Sequence, residues 1–200
     1  MGYPTAGGYE EYTQGDFHSP GWSEAYTGEI VAPAGNAAAD TIRLHATLPS
    51  GLRIDRTLRL QDSTLRIETV ATNGGAVPVA VTLRSHPEFS APADLGPRVS
   101  WRDRSGSDVE AVLVPDEKDV FLKGQSMPAG EWTLRVGDSR ITERFEPAQV
   151  ASVLLNGTLA AGRVNLELYG LPQNLAHGQS TRLDQTWVIQ DAAPAPTVAP

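Results

Sequence analysis

The 200 residues carry 24 acidic against 16 basic side chains, a formal net charge of −8, with 40% apolar and 20% charged residues. That is the composition of one ordinary globular domain with a full core, and its acidic balance argues against nucleic acid or an anionic membrane as the main partner. The absence of cysteine excludes disulfides, thiolate nucleophiles and thiolate metal sites.

Residues 1–27 read as a loop-like, aromatic-rich opening, with Tyr3, Tyr9, Tyr12, Phe17, Trp22 and Tyr26 set among Gly, Pro and Glu. The start, MGYPTAGGYEEY, has neither the positive n-region nor the apolar h-region of a secretion signal. No apolar run approaches the ~20 residues of a membrane span, so the expectation is a soluble chain of open compartment. From residue 28 onward, alternation with a period of two predicts strands at 28–32, 41–48, 52–60, 64–72, 77–86, 109–114, 131–136, 140–145, 150–155, 163–170 and 181–190. Turn signals separate them, among them Pro49-Ser50-Gly51, Asn73-Gly74-Gly75 and His177-Gly178. Arg56 breaks the apolar parity of positions 52, 54, 58 and 60, which predicts a bulge or an edge there. Many short strands joined by regular turns predict an all-β antiparallel sandwich over 28–190. The closing DAAPAPTVAP, 191–200, reads as a Pro/Ala-rich tail or linker.

Two of these segments carry chemistry. In 77–86, Val77, Val79, Val81 and Leu83 share one side, so Arg84 and His86 lie on the other. In 163–170, Val164, Leu166 and Leu168 share one side, leaving Asn165, Glu167 and Tyr169 opposite. Pro87 predicts that the chain leaves the sheet just after His86. An imidazole titrating near neutrality beside a strand carboxylate is suited to proton transfer. The plain alternatives are a surface histidine and a solvent-facing sheet glutamate. Tyr12, Trp22 and Tyr26 have the flat rings that cover the apolar face of a pyranose, or else they pin the opening segment across the sandwich. No metal-ligand spacing, hydrolase elbow or phosphate loop is present.

The wording of both segments resembles the galactose mutarotase-like (aldose 1-epimerase) superfamily. The middle motif is matched by Ala71-Thr72-Asn73, a turn, a strand, and His86-Pro87-Glu88-Phe89. The C-terminal motif is matched by Leu166-Glu167, Pro172, Leu175-Ala176-His177-Gly178-Gln179 and Thr186-Trp187-Val188-Ile189. The resemblance implies an antiparallel β-supersandwich, with His86 as general acid and Glu167 as general base; the outward residues Arg84, Asn165 and Tyr169 and the rings of Tyr12, Trp22 and Tyr26 are the candidate sugar-binding residues read from the strands and the opening segment themselves. The resemblance implies no metal and no cofactor. The family's opening strands, with a sugar-binding arginine and a second histidine in an HGG-type motif, have no counterpart here, so the chain reads as the later part of a supersandwich. The expectation is a carbohydrate-binding, epimerase-like domain within or beside a larger glycan-active protein. A working aldose 1-epimerase and a purely structural sandwich packed on a catalytic domain are the alternatives.

Overall fold

The computed structural model describes residues 2–7, 25–31, 40–113, 118–158, 160 and 162–191. Two antiparallel sheets face each other. The smaller has the order β1 (Gly2–Gly7), β6 (Val79–Ser90), β13 (Arg163–Gly170), β12 (Val150–Thr158), β9 (Lys118–Lys123), and a short β14 (Gln173–Leu175) pairs with the start of β6. The larger runs β2 (Thr27–Val31), β3 (Asp40–Thr47), β4 (Leu52–Gln61), β5 (Thr64–Asn73), β15 (Ser180–Asp191), β11 (Ser139–Phe145), β10 (Pro128–Val136), β7 (Arg98–Asp103), β8 (Asp108–Val112). The expected all-β antiparallel sandwich is the observed architecture. Among the described residues no helix is long and apolar enough to cross a membrane.

Alternation builds the core directly. The inward positions of the small sheet, among them Val81, Leu83, Val153, Leu166 and Leu168, pack against Ile54, Ile67, Val99, Leu134 and Leu183 of the large one. Aromatic contact crosses the gap, with the rings of Phe89 and Trp187 centred 5.1 Å apart. One buried hydrogen bond also spans it, Ser85 Oγ donating to Gln185 Oε1 at 2.9 Å. Side chains of opposite parity on the small sheet are thereby turned outward, and this is the face that carries Arg84, His86, Asn165, Glu167 and Tyr169.

Both segments that carried the family wording are locked together by Asn73, which is fully buried. Its Nδ2 donates to the carbonyls of Val77 and Leu175, each at 2.8 Å, while Oδ1 accepts from the Gly75 amide at 2.8 Å. Its main chain completes the clasp, with Gly178 N donating to Asn73 O and Asn73 N donating to Gln179 O. Gly51 (φ 84°) faces Gly75 so closely that a Cβ on it would sit 2.9 Å from the Gly75 Cα. The turn at 49–51 therefore needs glycine for both conformation and space.

Three expectations need correction. Pro87 does not end its strand. Strand β6 continues to Ser90, because the rungs Leu168↔Ser85 and Asn165↔Glu88 hold on both sides of the proline. A proline removes only one donor, and the Pro87 ring is buried on the core-facing parity. Arg56 marks neither bulge nor edge. Strand β4 pairs along its whole length with β3 and β5 without a register shift, and the Arg56 side chain is buried. Burial pushes the Arg56 guanidinium down to about 10, while the nearby Tyr26 acts in the opposite direction. The opening segment, read as loop throughout, holds β1, paired antiparallel with β6 so that Tyr3 lies opposite His86. Alternation also passes over β7, β9 and the short β14.

Candidate functional site

The register places the chemistry on neighbouring rungs of β6 and β13. Pairing of Leu168 with Ser85 and of Asn165 with Glu88 sets Glu167 opposite His86, and Tyr169 opposite Arg84. Strand β13 is an interior strand, so the Glu167 side chain is walled by neighbours on both sides and is only 1% exposed. A buried carboxylate is costly without partners, and this one is well supplied. Oε2 accepts from Arg84 Nε at 2.7 Å and from the Tyr169 hydroxyl at 3.0 Å, and Arg84 Nη2 reaches the same oxygen. Oε1 faces His86 Nε2 at 3.2 Å.

His86 Nε2 also lies 3.0 Å from Asn165 Nδ2. A protonated Nε2 donates to Glu167 Oε1, whereas a bare Nε2 accepts from the Asn165 amide. The imidazole therefore has two hydrogen-bonding states in one place, which is what a proton carrier requires. The Arg84 guanidinium carbon sits 5.1 Å from the centre of the Tyr169 ring, a cation–π contact. The His86 side chain remains 23% exposed and that of Arg84 12%, so the cluster is open to solvent on the His86 side. Chemically it offers one carboxylate oxygen saturated by donors, one facing the imidazole, and an amide with an acceptor to spare. The Asn165 Oδ1 is buried without a hydrogen-bond partner.

Of the residues expected at the site, Arg84, His86, Asn165, Glu167 and Tyr169 are brought together. Tyr26 is not. It packs against the core beside Arg56, because strand β2 begins at residue 27 on the far edge of the larger sheet. Tyr12 and Trp22 lie outside the described residues. Sequence reasoning missed Phe121, which stands on this same outward face. The register runs Glu167↔Leu154↔Phe121, and the Phe121 and Tyr169 rings approach to 6.0 Å at a tilt of 51°. Three consecutive apolar residues, Val120-Phe121-Leu122, hide the alternation that flags a strand face. Among the described residues, no group of three or more His, Asp or Glu is arranged to hold a metal ion.

No protein-family model matches the sequence, and no curated protein is recognisably similar to it. Solved structures are similar in fold. A putative aldose 1-epimerase from Escherichia coli K12 superposes with a TM-score of 0.63 at 15% identity, covering 86% of this chain and 70% of that one. A galactose mutarotase-like protein from Lactobacillus casei gives 0.57 at 15%, covering 81% and 72%. The GH36 α-galactosidase AgaA of Geobacillus stearothermophilus gives 0.55 at 11%, covering 85% of this chain but 28% of that enzyme. A Synechocystis protein, Slr1438, is matched over 66% of its length, just under two thirds. The fold is that of the galactose mutarotase-like, aldose 1-epimerase sandwiches.

Proposed function

We propose that the outward face of the small sheet is a carbohydrate site, and that the chain is an epimerase-like binding domain working within or beside a larger glycan-active protein. The observation that carries this reading is Glu167, a carboxylate buried on an outward face and held by Arg84, Tyr169 and His86. Sheet faces directed to solvent do not ordinarily bury a charge, and a carboxylate fixed by a guanidinium with amide and imidazole neighbours is suited to orienting hydroxyl groups. The likeness to one part of a far longer α-galactosidase supports the modular half of the reading.

A second reading, an active aldose 1-epimerase, is favoured by the 3.2 Å approach of His86 Nε2 to Glu167 Oε1. Glu167 takes the proton of the anomeric hydroxyl and His86 protonates the ring oxygen. The ring C–O bond then breaks, C1–C2 rotates, and closure on the other face returns both protons. Polarimetry of freshly dissolved α-D-glucose and α-D-galactose, with titration calorimetry in parallel, separates the two. Binding without acceleration supports the binding domain. Acceleration that falls about 10²–10⁴-fold in Glu167→Gln supports the enzyme. Absence of both binding and acceleration sinks both.

A further inference from the structure

We propose that the outward face of the large sheet holds a second site, a strip of arginines running from β4 to β7 that takes the carboxylates of a linear polyuronate. The choice of a glycan rests on the carbohydrate reading above, whereas the charge of the strip does not.

Ile54, Ile67, Val99, Leu134 and Leu183 fix the inward parity of this sheet, so the alternate positions face outward. Two files of arginine cross the strands there. One is Arg98, Arg135 and Arg140, directly opposite one another on β7, β10 and β11. In the other, Arg59 on β4 lies opposite Arg66 on β5, and the row continues through Thr186 on β15 to Arg144 on β11. All six arginines are exposed. Between the files run Thr64, Val188, Thr142, Thr133 and Ser100, short uncharged side chains that leave the strip clear.

Like charges directly opposite on adjacent strands destabilise a sheet, and the two files hold three such pairs. Elsewhere on the same face arginines are matched: Arg43 with Glu29 at 3.4 Å, Arg53 with Asp55 at 3.8 Å, and Arg182 with Asp184 at 2.7 Å. Within the files, Arg98 has Glu110 at 3.5 Å and Arg144 has Glu131 at 3.0 Å. Arg59, Arg66, Arg135 and Arg140 pair with no acid among the described residues. Asp62 and Asp138 lie in the adjoining hairpin turns, and the strip keeps a positive surplus even with them, on a chain whose net charge is −8. Such a surplus costs stability until an anion meets it, and it draws that anion to this half of this face.

The geometry favours one carboxylate per sugar. A guanidinium takes a carboxylate at two points in one plane, and every cation of the strip is arginine. Neighbouring arginines of a file stand one strand spacing apart, about 4.8 Å, close to the advance of one sugar along a linear chain. Four residues of β11 separate Arg140 from Arg144, about 14 Å, so a single sugar chain is seated between two sets of guanidinium groups. Single-stranded nucleic acid needs aromatic platforms for its bases, and Trp101, Trp132 and Trp187 are all buried on the inward parity.

Calorimetric titration with hexagalacturonate, poly(U) and phosphatidylserine vesicles at rising salt tests this, with D-glucose and D-galactose reading the small-sheet site alongside. The expected result is salt-sensitive binding of hexagalacturonate, tighter than that of poly(U) or the vesicles. Arg66→Gln combined with Arg135→Gln weakens hexagalacturonate about tenfold. That double variant melts at or above the temperature of the parent, because both changes remove like-charge pairs. Arg43→Gln combined with Arg53→Gln takes the same charge from the matched half of the face and leaves the affinity unchanged. No binding of hexagalacturonate, or equal weakening by the two double variants, overturns the site. Poly(U) or vesicles bound as tightly as hexagalacturonate overturn the glycan assignment. Hexagalacturonate bound through Arg66 and Arg135, with neither monosaccharide bound nor its anomers interconverted faster, upholds the strip and sinks the small-sheet reading alone.

Discussion

Glu167 in the small sheet and Glu143 in the large one are both strand glutamates, 1% and 0% exposed, yet their surroundings are opposites. Glu167 has a guanidinium and a phenol on one oxygen and an imidazole facing the other. Glu143 points into the core between Trp132 and Trp187 of the flanking strands. It accepts one hydrogen bond, from Trp132 Nε1 at 2.6 Å, and its Oε1 has no partner. Burial pushes the Glu143 carboxyl well above the ordinary carboxylate range, and the Trp132 bond opposes this only in part. Burial alone therefore does not identify a working carboxylate. What separates the two is the company of a cation and an opening to solvent, present at Glu167 and missing at Glu143.

The largest expected effect breaks the Glu167 side of that contrast. Arg84→Met leaves a buried carboxylate without its cation and is expected to cost about 3–5 kcal/mol, read by urea unfolding. Replacing both partners, Arg84→Met with Glu167→Leu, is expected to recover most of the loss, because an apolar pair of similar volume needs no compensation. A double variant as unstable as the single one contradicts the ion-pair account. The Glu143 side is read by pH. A carboxyl whose folded-state value is raised is protonated in the fold and ionised when unfolded, so its stabilising contribution is fully present below the ordinary carboxylate value. It is lost as pH rises from there toward the raised folded value, with a slope of up to about 1.4 kcal/mol per pH unit. Glu143→Gln removes that slope and is expected to be more stable than the parent at neutral pH and close to it at pH 4. Equal pH slopes in the two proteins rule out a neutral acid at this position.

The same contrast marks the limits of the sequence. Alternation made the outward parity of Arg84, His86 and Glu167 readable, because Val81, Leu83, Leu166 and Leu168 define the inward one without ambiguity. It gave no warning of Glu143, whose place on the inward parity with Ile141 and Phe145 is apparent only when its tryptophan neighbours on other strands are known. Arg56 was visible as a break in pattern, but whether an arginine bulges out or is taken into the interior depends on residues distant in sequence. Pro87 suggested an exit that the flanking rungs of β13 prevent. Phe121 was hidden by its apolar neighbours on both sides. The wording Thr72-Asn73 and Leu175–Gln179 was legible as family resemblance, and in this fold its work is architectural, holding the turns around Asn73.

The smallest test sharpens the comparison within the Glu167 cluster itself. Tyr169→Phe removes the hydroxyl that donates to Glu167 Oε2 but keeps the ring beneath Arg84 and beside Phe121. Arg84 Nε and Nη2 remain on the same oxygen, so no buried charge is stranded, and the loss is that of one hydrogen bond, about 1 kcal/mol. For a chain of this length that is a fall in Tm of roughly 2–4 °C, measured by calorimetry. A fall as large as that of Arg84→Met shows that the phenol holds the carboxylate in place as strongly as the guanidinium does. It also makes the cluster resemble Glu143, whose carboxyl depends on a single neutral donor.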